Sequence, residues 1–75
     1  SKGMEFVQRM VSRREVGARP ADIQNERVLA VIRNDVLRNF YDSSVGQLQA
    51  GDVIVVVRKA VPRPHEPQPD SDLVR

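Results

Sequence analysis

Leu48-Gln49-Ala50-Gly51-Asp52-Val53-Ile54-Val55-Val56-Val57-Arg58 reads as a leucine anchor, a tight turn, and a strand that ends on charge. Gly51 accepts the positive φ that other residues resist, and Asp52 can bond its own backbone beside the turn. Five apolar residues, four valines and one isoleucine, follow without a polar interruption. Such a run suits a strand buried on both faces better than the alternating strand of an open sheet. It has to be covered, and what covers it bears on function.

Working outward from that strand, further segments take shape. Residues 5–12, with Phe6-Val7-Gln8-Arg9-Met10-Val11 at their centre, mix apolar and polar side chains at strand spacing. Helix is the competing reading there, because Val7, Met10 and Val11 also share a helical face. Val16-Gly17 breaks the pattern, and Arg19-Pro20-Ala21-Asp22-Ile23 opens a short helix with proline at its first position and an acid in its first turn. Arginines bracket five apolar residues at 27–33, which reads as a second buried strand. Asn34-Asp35 supplies a hairpin turn, since both residue types tolerate left-handed backbone. Residues 36–40 return as a half-buried strand in which Val36, Arg38 and Phe40 alternate. A loop over 41–46 then leads to Leu48, and the strand at 53–59 completes four. Beyond Val61 the composition changes, with Pro62, Pro64, Pro67 and Pro69 interleaved with polar residues. Proline withholds backbone donors, so 62–75 is expected as an extended tail. Residues 1–4 read as a leader or cloning scar, and 5–61 as one domain.

Size and charge narrow the possibilities. Seventy-five residues make one domain at most, and chains this small bury a modest fraction of their surface, so they are often paired or carried within larger proteins. The absence of cysteine removes disulfides and thiolate metal sites, which fits a cytosolic compartment. The longest apolar runs are five residues, far below the ~20 of a membrane helix. Twelve basic residues against ten acidic leave a formal charge of +2. That is a weak footprint for a nucleic-acid binder, and three aromatics offer little stacking surface.

Three segments, in this order and spacing, carry a resemblance: Val16-Gly17-Ala18-Arg19-Pro20-Ala21-Asp22-Ile23, Val28-Leu29-Ala30-Val31-Ile32-Arg33, and Leu48-Gln49-Ala50-Gly51-Asp52-Val53-Ile54-Val55-Val56. Together they resemble the C-terminal subdomain of RCK (regulator of K⁺ conductance) proteins, also called the TrkA-C domain. The matching features are a Val-Gly opening to a short helix, an apolar strand ending on arginine before a turn, and Leu-x-x-Gly-Asp before an apolar strand. Two departures stand out: Asn34-Asp35 occupies a turn where the family often has glycine, and prolines follow where some members close with a helix. The resemblance implies an α+β fold, a small pseudo-barrel of about four mainly antiparallel strands with one short helix. It implies a cytosolic, non-enzymatic regulatory domain of a K⁺ channel or uptake system. Its partners would be a second copy, a Rossmann-type N-terminal subdomain and a membrane pore, with no nucleic acid. The four glycines form no dinucleotide fingerprint, so that subdomain is not in this chain.

The candidate site residues follow. In the resembling family some members bind a cyclic dinucleotide between paired subdomains, which makes Arg33 and Asn34 the ligand candidates here. An arginine at a strand end can grip phosphate bidentately and an amide can read a base edge; a solvated arginine flanking a hairpin is the plainer reading. No cofactor beyond such a nucleotide effector is implied. Gly17, Pro20, Gly51 and Asp52 are expected to determine the fold. Asp52 reads either as a metal ligand or base, or as a residue that fixes its turn through local backbone bonds. His65, the single histidine, lacks the companions a zinc or nucleophile site needs. Phe6, Met10, Val36 and Phe40 suit core packing and dimer contact equally. Two rival functions stay open: a small β-barrel nucleic-acid module using arginines 9, 13, 14, 27, 33, 38 and 58, and a ligand-free dimerisation domain.

Overall fold

The computed structural model describes residues 3–60, so the tail at 62–75, with His65 and the prolines, lies outside the described residues. Four strands form one sheet: β1 Met4–Met10, β2 Glu26–Arg33, β3 Val36–Asn39 and β4 Val53–Lys59. Their order is β1-β4-β2-β3 and every neighbouring pair is antiparallel. The valine-rich strand after the Gly-Asp turn is therefore central, as its continuous apolar run implies. No pairing joins β1 to β3 among the described residues, so the sheet is open.

The expected helix is the main departure. Pro20–Asp22 makes a single turn of 3₁₀ helix, and Arg13–Glu15 makes another that lay outside the sequence expectation. Each ends on a residue with extended backbone, Ile23 and Val16, so neither turn propagates. The described chain is a small β-rich fold of four antiparallel strands with almost no helix. Strand limits shift slightly from expectation. β1 begins at Met4 and ends at Met10, and β2 begins at Glu26. β4 spans the residues read from sequence.

Among the described residues, only one face of the sheet is covered. Val28 and Val31 of β2, Ile54 and Val56 of β4, and Val11, Val45 and Leu48 from the loops form the core, with Val7 and Ile23 packed against it. Ile54 and Val56 are fully buried, whereas Val53, Val55 and Val57 between them stay half-buried. The valine run is thus sealed on its core side alone. A β-bulge between Val28 and Ala30 lets β2 turn both Val28 and Val31 inward. β3 is exposed at all four positions, so it is not the half-buried strand expected.

The hairpin turn is made as read: Asn34 and Asp35 both take positive φ, 52° and 65°, the pattern of a type I′ turn. Gly51, at φ 92°, occupies the left-handed region at the second turn.

Candidate functional site

The three segments behind the resemblance meet at one corner of the sheet. The Gly17 amide donates to the Leu48 carbonyl at 2.8 Å, and the Leu48 amide donates to the Ala18 carbonyl at 2.7 Å. That reciprocal pair ties the Val-Gly segment to the loop before the Gly-Asp turn. At the end of β2, Arg33 donates from Nε to Asp52 Oδ1 at 2.9 Å and from Nη2 to Asp52 Oδ2 at 2.7 Å. Its remaining donors reach the carbonyls of Val45 at 3.2 Å and Gln47 at 3.1 Å. Asp52 is only 2% exposed. Besides Arg33 it accepts from the Gln49 amide at 2.8 Å, closing the turn on itself. The arginine, foremost, holds the Asp52 carboxyl below its usual range, with the Gln49 amide acting the same way and burial opposing both.

The geometry shows what two of the candidate side chains bond to in the described structure. Asp52 fixes its turn, through the local backbone bond read from sequence and through a partner nineteen residues away that sequence spacing does not reveal. Arg33 is the clamp between strand end and turn, and its fork is occupied by protein oxygens. Asn34, next to it, is exposed on the turn. Of the residues expected to determine the fold, Gly17 and Gly51 both adopt positive φ, and Pro20 is the one buried residue of its turn.

A second cluster lies farther along the same face, near where β1, β2 and β4 converge. Arg9 grips Glu15 with Nη1 at 2.9 Å and Nη2 at 2.7 Å. The same Nη2 reaches Glu26 Oε1 at 2.6 Å. Glu26 in turn accepts from Arg58 at 3.1 Å, and Arg58 donates to Glu5 at 2.9 Å. Acid and base alternate from Glu15 to Glu5, stitching the first 3₁₀ turn to three strands. Hydrogen bonds from Arg9 above all draw the Glu15 carboxyl down to about 2 and also lower Glu26. Ser12 and Glu15 carried a sequence signal for this arrangement, the Ser-x-x-Glu spacing of a capping box. The Glu15 carboxylate accepts from the Ser12 amide at 2.9 Å.

Beside that cluster a groove of about 500 Å³ opens between the second 3₁₀ turn and the sheet end, lined in part by Ile23, Asn25, Arg27, Phe40 and Lys59. Arg27 and Lys59 make no ion pair among the described residues. Arg9, Arg33 and Arg58 are paired with carboxylates on the core side, while Arg27 stands opposite Val57 on the other face. No described helix is long and apolar enough to cross a membrane. Comparison with protein-family models, curated proteins and solved structures finds no match to this chain.

Proposed function

We propose that this chain is a cytosolic regulatory domain of a K⁺ channel or K⁺ uptake system, of the RCK C-terminal kind. One observation carries the reading. The Val-Gly segment, the strand ending on Arg33 and the Leu-x-x-Gly-Asp turn are joined to one another by the Gly17–Leu48, Leu48–Ala18 and Arg33–Asp52 bonds. Residues that carry the resemblance in sequence therefore act as one structural unit.

The mechanism is a population shift. A small effector, of which a cyclic dinucleotide is the leading chemical class, binds where two copies meet and prefers one arrangement of the pair. Its differential affinity for the two arrangements then biases the attached pore. Arg33 positions the hairpin through Asp52, and Asn34 presents its amide to the ligand. The test is an amide-resolved NMR titration with cyclic dinucleotides, then adenine and nicotinamide nucleotides, then single-stranded DNA. Saturable shifts centred on residues 33–36 with one small ligand are expected. Indifference to every small ligand would remove the sensing role, and salt-sensitive shifts with DNA alone would move the domain to the nucleic-acid class.

A further inference from the structure

Among the described residues β1 is an edge strand, and its free side can be read from its bonds. The Val11 amide donates to the Asp52 carbonyl and the Ala60 amide to the Gly3 carbonyl, both across to the β4 side. In an antiparallel ladder the groups facing the neighbour alternate along the strand. Odd-numbered residues of β1 therefore face β4, and the amides and carbonyls of Met4, Phe6, Gln8 and Met10 face outward. Among these, the Met10 carbonyl accepts from Arg9 Nη1 at 3.1 Å. An open edge of this length, with no proline or lysine along it, is a template for another strand.

The side chains at three of these four positions are large, apolar and exposed, with Gln8 the polar exception. Met4, Phe6 and Met10 are 55%, 73% and 61% exposed, and all lie on the uncovered face of the sheet. That face continues inward as an apolar row, Met10–Val53–Ile32–Leu37, crossing all four strands. With a large apolar side chain presenting roughly 200 Å² when fully exposed, the three β1 residues leave a patch of functional size.

The geometry points to a second copy of this chain as the occupant, docked strand to strand through β1 to make one eight-stranded sheet. A two-fold axis at Val7 pairs outward-facing residues with outward-facing residues, as hydrogen bonding requires: Phe6 with the partner's Gln8, and Met4 with the partner's Met10. The same axis brings Glu5 opposite the partner's Arg9 on the core side, so the ion-pair chains already built within each copy, Glu5–Arg58 and Arg9 with Glu15 and Glu26, meet with opposite charges facing. It also sets Phe6 diagonal to the partner's Phe6 and Met10, within reach of aromatic and thioether contact. Met-Glu-Phe-Val-Gln-Arg-Met is thus complementary to itself when reversed. Strand addition of this kind covers the low end of interface area, so the dimer is of micromolar strength. The surface stands on these observations independently of any effector, and it supplies the pairing on which the proposed sensing mechanism rests.

The test is sedimentation equilibrium of the full chain and three variants, each checked for folding by circular dichroism. Wild type is expected to weigh twice one chain at high concentration and to dissociate on dilution. Gln8→Pro removes an outward-facing amide that no bond among the described residues uses, and it should weaken association at least about tenfold. Phe6→Lys, at a highly exposed side chain, should do the same without touching the core. Leu37→Lys, on the uncovered face but far from β1, should leave association unchanged. A wild-type chain that stays monomeric at about 200 µM overturns the proposal. So does loss of the dimer in Leu37→Lys with retention in Gln8→Pro, which would mean that faces stack rather than edges join. A dimer indifferent to nucleotides sinks the sensing role and keeps this interface; ligand shifts on a monomer do the reverse.

Discussion

Asp52 is the residue on which the corner depends. It is buried, and its two carboxylate oxygens receive one arginine and one backbone amide. Replacing it leaves the Arg33 fork facing carbonyls and a neutral side chain, and an uncompensated charge near a protein interior is costly. Asp52→Asn keeps the size and loses the charge, so a destabilisation of roughly 2–3 kcal/mol is expected, measured as a lower urea midpoint. A variant within about 0.5 kcal/mol of wild type would mean that the ion pair adds little beyond the turn's own bonds. The importance of Asp52 to the turn is legible in the sequence, because Gly-Asp before an apolar run has a local reason. Its partner is not legible: Arg33 lies nineteen positions away, and only the register of β2 against β4 brings the two together.

The hairpin between β2 and β3 gives a prediction at the scale of elements. Asp35 holds φ at 65°, a value its Cβ disfavours and glycine does not. Asn-Gly is the preferred pair for this turn, so Asp35→Gly should stabilise the chain by a few tenths to about 1 kcal/mol, read as a rise in melting temperature. A drop would place a favourable contact on the Asp35 carboxylate. β4, the hairpin turn and the proline-led turn are readable from local chemistry. Three features of the elements are not. A continuous valine run looks the same whether one or both faces are covered, so the exposed side of the sheet is hidden in it. Proline at 20 announces a helix start without saying how far it runs, and Ile23 returns the backbone to extended form after one turn. The bulge at Leu29 has no proline or glycine to mark it; it follows from packing, since it turns both Val28 and Val31 inward.

At the scale of the molecule, the carboxylates govern the response to acid. Arginine hydrogen bonds are the largest influence on Glu15, Glu26 and Asp52, and each carboxyl binds its proton more weakly folded than unfolded. The unfolded chain therefore takes up more protons as pH falls, and stability falls with it. The contribution is complete above the ordinary carboxylate range, near pH 4.5, and is lost toward about 2, the value of Glu15 in the fold. Urea midpoints should be level from about pH 8 to 5.5 and decline steadily below about 4.5. A midpoint unchanged at about pH 3 would show that these ion pairs do not contribute net stability.

The strand order has a consequence for how the chain is made. β4 lies in the middle of the sheet yet is the last of the four strands in sequence. On the ribosome, β1 emerges first and waits for a partner until residues 53–59 have followed, while β2 and β3 can close only as a lone hairpin, a unit that is marginal in water. The pairings of β4 with β1 and β2, which carry Ile54 and Val56 into the core, then form together and across a large separation in sequence. Birth of the domain is therefore a single late event, and through that interval the Phe6 strand, open on both of its edges, is the part of the nascent chain with most need of shelter.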